Sequence, residues 1–167
     1  MRPAWHRPDR FCPAIIYGYY NYAPRESYFF ERLTSRQPIE IPDDSLALYS
    51  FIWVVDMARA LIRALGAPGS FGRAFNLASD ELISYGRIID VLGEITGKTI
   101  ATTPLSRREI ERRGTPLPFP PAEHLIYSGQ EARQAFDLTY TPFATGMRES
   151  LKYYLAVQRA ARAQAGP

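Results

Sequence analysis

The sequence is poor in the residues that build disulfides and metal centres. Among its 167 residues there is one cysteine, Cys12, and there are two histidines, His6 and His124. A single cysteine excludes an internal disulfide and any site with several cysteine ligands, and two histidines leave little for a zinc site. Cys12 lies in an apolar segment, which predicts a small core residue rather than a nucleophile. His124 follows a proline-rich segment and is predicted to lie at the surface.

Long apolar runs and a strong excess of one charge are also missing. No apolar run approaches the ~20 residues of a transmembrane helix, and no apolar signal-peptide core follows the basic residues 1–10. We therefore expect a cytoplasmic protein with no membrane partner. The net charge of +3 and the pI of about 9.1 reflect a small excess of basic residues along the chain. This excess alone does not indicate a nucleic-acid partner.

Several motifs of complete active sites are absent. The sequence has no Gly-x-Gly-x-x-Gly dinucleotide turn, no Walker loop and no Gly-x-Ser-x-Gly elbow. The two lysines are Lys98 and Lys152, and neither follows a tyrosine by four residues. The residues alone therefore predict no complete catalytic machinery of these kinds.

Aromatic residues, in contrast, are concentrated near the beginning of the chain. Two alternatives remain open: these residues pack a core, or some of them face a ligand with a flat apolar ring and a hydroxyl group. Seven fall within fourteen residues: Tyr17, Tyr19, Tyr20, Tyr22, Tyr28, Phe29 and Phe30.

The first half of the chain predicts strands alternating with helices. The apolar segment 11–17 reads as one buried strand that ends at Gly18. Such a strand needs neighbours on both sides, so we expect the chain to begin in the middle of a sheet. A helix over 25–37 follows, and segments 39–41 and 46–49 are predicted to form a hairpin.

The second half carries clear helix-start signals. Asp56, Ser84, Ser106 and Ser128 are predicted helix N-caps. Segment 73–77 reads as a strand. A last helix over 142–158 is expected to fray into a mobile tail from Arg159.

Four segments in this order resemble a known family: "PAIIYG", "FIWVVDMARAL", "RAFNLAS" and "YTPFATGMRESL". Together they are similar to the C-terminal half of an extended short-chain dehydrogenase/reductase, the NAD-dependent epimerase/dehydratase family of nucleotide-sugar enzymes. The resemblance spans about residues 11–155. It implies an α/β fold, the C-terminal portion of a Rossmann-type protein, with two residual parallel strands under covering helices and a small α+β substrate-binding lobe. Residues 1–10 form an atypical extension, 11–158 this portion and 159–167 the tail.

In that family the N-terminal half supplies the cofactor turn and the catalytic Tyr-x-x-x-Lys, so the resemblance implies that this chain alone is inactive. NAD or NADP is the implied cofactor, and we expect this chain alone not to bind it. Pro13 and Ala14 are then expected near the cofactor ring. The nucleotide sugar is expected to contact Tyr17, Asn21, Tyr22, Arg25, Tyr28 and Arg87.

Two other interpretations remain. The segment "ERLTSRQPIEIP" also resembles the chloroplast stem-loop-binding branch of the family, and arginines in 107–113 together with the pI suggest an RNA-associated protein. A solvated helix face is the simpler reading of those arginines. The third interpretation is a homo-oligomer, because sheet edges and apolar surface on Ile15, Ile16, Phe75 and Leu77 would be exposed without a covering partner.

Overall fold

The computed structural model describes residues 10–21, 23 and 25–165. It confirms an α/β protein with small parallel sheets. In chain order the elements are β1 Arg10–Pro13, β2 Ile15–Tyr17, α1 Glu26–Ser35, β3 Ile39–Pro42, β4 Tyr49–Trp53, α2 Val54–Ala64, β5 Ala74–Leu77, β6 Leu82–Ile83, α3 Tyr85–Thr96, β7 Thr102–Leu105, α4 Arg107–Arg113, α5 Gln130–Ala135 and α6 Phe143–Ala165.

The predicted strand 11–17 is divided at Ala14 between two sheets. β1 pairs in parallel with β5, and β2 pairs in parallel with β4. The backbone N–H of Ala14 still donates to the carbonyl of Leu77 at 2.9 Å, so the segment leaves β5 only after this bond. One continuous segment therefore links two sheets, which an apolar run alone does not reveal.

The predicted hairpin over residues 39–49 is wrong. β3 pairs in parallel with β7, whereas β4 runs antiparallel to β6. The turn between β3 and β4 is held by distant partners: Asp44 Oδ1 accepts from the backbone N–H of Arg107 at 3.0 Å, and Ser45 Oγ donates to the carbonyl of Pro121 at 2.7 Å. These bonds tie the turn to the start of α4 and to the proline-rich segment after it, and no hairpin forms.

Two apolar cores stabilise the fold. The larger core holds Phe29, Tyr49 and Phe51 among many other buried side chains. The smaller core forms around Phe75 and Leu77, which are fully buried. Their expected exposure is therefore wrong, because the segment from α5 onwards covers them with Ala132, Phe136 and Leu138. Ile15 and Ile16 are half-buried.

Cys12 is exposed, contrary to the prediction of a core residue. Successive side chains of a strand point to opposite faces. Phe11 lies on the covered face, with its ring 6.1 Å from that of Phe75 and 6.0 Å from that of Phe136. Its neighbour Cys12 therefore points outward.

Two of the predicted helix caps are confirmed and two are not. Ser84 Oγ accepts from Arg87 N at 3.1 Å, and Ser106 Oγ accepts from Glu109 N at 3.3 Å. In contrast, Gly129 rather than Ser128 precedes α5, and α2 begins at Val54, so Asp56 lies inside its first turn.

The last helix is longer than predicted. It begins at Phe143 and remains helical through Ala165, beyond the expected end at residue 158. None of the helices in the described part of the chain combines the length and the apolar character that a bilayer span requires.

Candidate functional site

The segment between β2 and α1, residues 18–25, is called the tyrosine loop below. Its start is held by Glu26, the first residue of α1. Glu26 Oε1 accepts from the backbone N–H of Gly18 at 2.9 Å, and Oε2 accepts from Asn21 Nδ2 at 2.8 Å. Arg25 binds back to β2, because its Nη1 donates to the carbonyl of Ile16 at 2.7 Å. The loop is thus anchored at both ends by side chains from the start of α1.

Asn21 lies within this hydrogen-bond network. Besides its bond to Glu26, its Oδ1 accepts from the backbone N–H of Ala23 at 3.1 Å. We expected the Asn21 side chain to be free because it lies in a loop, but it makes two intramolecular hydrogen bonds. Tyr22, the neighbouring predicted residue, lies outside the described residues.

Tyr17 belongs to the larger core. Only 2% of its surface is exposed, and its ring packs 5.8 Å from that of Phe51 and 5.2 Å from that of Phe143. Burial raises the pKa of the Tyr17 hydroxyl, and the charges of Asp56 and Glu81 raise it further. The Tyr17 side chain therefore packs in the core directly before the start of the tyrosine loop.

Tyr28 is also buried, on the inner face of α1. Its hydroxyl donates to the carbonyl of Glu40 at 2.9 Å, and the Arg32 guanidinium lies 3.7 Å from the centre of its ring. Burial raises the pKa of Tyr28. The hydrogen bond ties α1 to β3.

Arg87 is already paired with two carboxylates. Its Nε lies 3.2 Å from Glu81 Oε1, and its Nη1 lies 2.7 Å from Glu94 Oε1. The hydrogen bond that Arg87 donates to Glu94 is the main cause that raises the pKa of Arg87. A phosphate at this position would compete with both carboxylates.

Pro13 and Ala14 lie where β1 leaves the sheet. The N–H of Arg10 donates to the carbonyl of Arg73, directly before β5, and that of Ala14 donates to the carbonyl of Leu77, both at 2.9 Å. Because backbone groups alternate along a parallel strand, those of Phe11 and Pro13 point to the opposite edge of β1. No strand among residues 10–21, 23 and 25–165 pairs with that edge.

A pocket of about 370 Å³, called the tyrosine pocket below, opens between the tyrosine loop, α1 and α6. Of the predicted site residues that the structure describes, Asn21 alone is among those that line it. Sequence reasoning missed Glu26 and Tyr153, because a first-turn glutamate and a tyrosine on a long helix look like ordinary solvated residues. The lining residues are Gly18, Tyr20, Asn21, Glu26, Ser27, Phe30, Ser150, Tyr153, Tyr154 and Val157. Within the described ranges, no group of three or more histidine, cysteine or acidic residues could hold a metal ion.

Similarity to curated proteins is confined to parts of the chain, and no protein-family model matches it. The chain is 32% identical over 73 residues to the chloroplast stem-loop binding protein of 41 kDa b of Arabidopsis thaliana, which covers 44% of this chain and 19% of that protein. It is 31% identical over 108 residues to agroclavine dehydrogenase of Claviceps fusiformis, which covers 55% of this chain and 37% of that enzyme. The chain thus spans only a minor part of either relative.

Solved structures match over most of the chain. UDP-glucuronic acid 4-epimerase from Bacillus cereus, in complex with UDP-glucuronic acid and NAD, superposes with a TM-score of 0.70 at 18% identity over 88% of this chain and 45% of the enzyme. The epimerase Mth375 from Methanothermobacter thermautotrophicus gives 0.71 at 18% identity over 93% and 45%. The fold of this chain therefore resembles part of the Rossmann-type fold of these enzymes, and the chain spans less than half of their length.

Proposed function

We propose that this chain is the substrate-binding half of a nucleotide-sugar protein of the epimerase/dehydratase kind. In this proposal the chain binds the nucleotide sugar. A cofactor-binding half, in the same or another polypeptide, binds NAD or NADP and carries out hydride transfer. The fold likeness to the epimerase solved with UDP-glucuronic acid and NAD supports this assignment. The absence of a dinucleotide turn and of Tyr-x-x-x-Lys from the sequence is consistent with it.

The observation that carries the proposal is the open edge of β1. The outward N–H and carbonyl of Phe11 and the outward carbonyl of Pro13 can pair with a further strand, whereas Pro13 has no N–H to donate. A strand from the cofactor-binding half would complete the sheet there. Pro13 and Ala14, at the end of β1, would then lie beside the nicotinamide, and residues 18–25 would follow directly over the substrate.

Within this arrangement the tyrosine loop contacts the sugar nucleotide through Asn21, Tyr22 and Arg25. A guanidinium has five N–H donors, so Arg25 keeps several after its bond to Ile16 and can bind a phosphate. Tyr17 and Tyr28 support these residues from the core. Arg87 can contact the nucleotide sugar only if its ion pairs with Glu81 and Glu94 break.

A titration calorimetry series tests this function. The chain is titrated with UDP-glucuronic acid, UDP-glucose and UDP, and the series is repeated with Arg25→Ala. Loss of one charge-assisted phosphate contact is expected to weaken binding about tenfold, which corresponds to about 1.4 kcal/mol. Arg36→Ala, an exposed arginine at the other end of α1, is the matched control and should bind as the parent chain does. Absence of binding by the parent chain, or equal affinity in the Arg25 variant, would overturn the proposal.

The likeness to the stem-loop binding protein favours RNA as a second candidate ligand. The arginines of α4 are its proposed contacts, although three of them are paired: Arg107 with Asp44, and Arg112 and Arg113 with Glu109. Phosphate contacts release counterions, so RNA affinity must fall steeply as salt concentration rises. A filter-binding series whose affinity is flat with salt would exclude this role. Sizing chromatography at two concentrations tests the homo-oligomer alternative.

A further inference from the structure

The tyrosine pocket has a buried carboxylate at its base. Glu26 lines the pocket, yet only 6% of its surface is exposed. Its hydrogen-bond donors are neutral, the backbone N–H of Gly18 and the side-chain amide of Asn21. No ion pair identified in the described part of the chain includes Glu26.

A buried carboxylate without a cationic partner is unfavourable. Burial is the main cause that raises the pKa of Glu26; hydrogen bonds from Gly18, from its own backbone N–H and from Asn21, and the charge of the neighbouring Arg25, oppose it only in part. Each carboxylate oxygen can accept about two hydrogen bonds, so the carboxyl group keeps acceptor positions for a ligand beyond these bonds. The pocket therefore presents a carboxylate that has no direct ion-pair partner, and a bound cation would stabilise its ionised form.

Aromatic rings form the walls of the same pocket. Tyr20, Phe30, Tyr153 and Tyr154 all line it. The rings of Tyr20 and Tyr153 meet nearly edge to face, with centroids 5.3 Å apart. Tyr20 is 84% exposed and has a φ of +59°, a left-handed backbone conformation that is uncommon for a bulky residue. Its ring is thus held at the mouth of the pocket without contributing to the core.

We propose that the tyrosine pocket binds a small organic ammonium ion, with the cationic head between the tyrosine rings and the Glu26 carboxylate. Tyrosine faces attract ammonium groups, most strongly where the cation is shielded from water, and a facing carboxylate adds direct charge complementarity. The volume of about 370 Å³ lies within the usual range for small-molecule sites.

Other ligand classes fit the pocket less well. An anion would be repelled by Glu26, and a neutral aromatic molecule would leave its charge uncompensated. A metal ion would find one carboxylate and no further acidic, histidine or cysteine ligands among the lining residues. The proposal does not depend on nucleotide-sugar binding, because seven of the ten lining residues belong to α1 and α6 and only Asn21 is also a proposed sugar-nucleotide contact.

The test compares choline with 3,3-dimethylbutan-1-ol, a neutral molecule of nearly the same shape. Binding is followed through the tyrosine ring signals in NMR spectra of the whole chain. Choline is expected to saturate at millimolar concentration, and the alcohol is expected to bind at least about tenfold more weakly because it lacks the charge. Equal affinity of the two compounds, or no saturable binding of choline, would overturn the proposal.

Two variants locate the site. Tyr20→Ala removes an exposed ring that folding does not require, and it is expected to weaken choline binding several-fold. Glu26→Gln should weaken it further, and circular dichroism shows whether that variant still folds. Tyr127→Ala, which removes another exposed tyrosine that does not line the pocket, is the matched control. If Tyr20→Ala binds choline as tightly as the parent chain, the assignment to this pocket is wrong.

Discussion

Asp56, in the first turn of α2, accepts two hydrogen bonds from Thr141, which lies two residues before α6. Its Oδ2 accepts from the backbone N–H of Thr141 at 2.6 Å, and its Oδ1 accepts from the Thr141 hydroxyl at 3.0 Å. Glu81 adds a third bond, because its Oε2 accepts from the backbone N–H of Phe143 at 3.2 Å. Two carboxylates thus satisfy N–H groups at the start of α6, where negative charge is also favoured by the helix dipole.

Removal of the Asp56 carboxylate is therefore expected to loosen α6. Asp56 is almost fully buried, so Asp56→Ala leaves the Thr141 donors unsatisfied and should lower the free energy of unfolding by about 2–3 kcal/mol. Arg59→Ala is the control, because it removes a largely exposed partner of the same carboxylate and should cost less than about 1 kcal/mol. Urea denaturation measures both. Equal losses in the two variants would contradict the role assigned to Asp56.

Gly146 provides a second test of how α6 is seated. Replacing a glycine within a helix by alanine normally raises the free energy of unfolding by about 1 kcal/mol. Here an added Cβ would collide with the hydroxyl of Tyr17, so Gly146→Ala is expected to destabilise the chain by about 1–3 kcal/mol. Tyr17→Phe removes that hydroxyl, but two ring carbons would still lie 2.8 Å and 3.0 Å from the added Cβ, so the double variant should recover only part of the loss. If Gly146→Ala stabilises the chain on its own, this packing is wrong.

Buried tyrosines should make the fold sensitive to alkali. Burial raises the pKa of Tyr49 and of Tyr140 from an ordinary 10.0 to about 12. Since the folded chain holds these protons more tightly than the unfolded chain, their contribution to stability is complete below pH 10 and is lost as the pH rises towards 12.

Tyr49→Phe separates this effect from general unfolding. It removes the hydrogen bond from the Tyr49 hydroxyl to the carbonyl of Pro120, which is expected to cost about 1 kcal/mol at neutral pH. It should also make the alkaline loss of stability less steep. Denaturation curves taken at several pH values measure this slope, and an unchanged slope would show that Tyr49 does not titrate with folding.

The exposed thiol of Cys12 is a reporter for the outer face of β1. In the folded chain Cys12 should react with a thiol reagent about as fast as a free thiol, and Cys12→Ser should change stability by less than about 0.5 kcal/mol. Slow labelling that becomes fast only in denaturant would show that this face of β1 is covered in solution. A second chain copy packed on this face would produce that protection.

Local signals in the sequence predicted local structure well. Ser84 and Ser106 cap their helices as predicted. A helix cap depends on one hydrogen bond between a side-chain oxygen and a backbone N–H three residues later, so the local sequence is enough to predict it. The strand at 74–77 is also found where its apolar residues predict it.

Features that depend on distant partners were not predictable. The pairing of β3 with β7 joins residues that are about sixty positions apart, and the burial of Phe75 depends on Phe136. At the candidate site, Arg25 was expected from the family resemblance, but its bond to Ile16 and the buried Glu26 beside it follow from how α1 meets β2. No pattern in a single sequence encodes such contacts.

Chemical-shift mapping with UDP-glucuronic acid is the most direct test of the proposed substrate-binding role. Amide spectra of the whole chain are recorded during the titration, and the residues whose signals move define the contact surface. The account predicts that signals of the tyrosine loop move, Asn21 and Arg25 among them, together with that of Ile16, the hydrogen-bond partner of Arg25. Movement confined to α4, or no movement at saturating ligand, would contradict it.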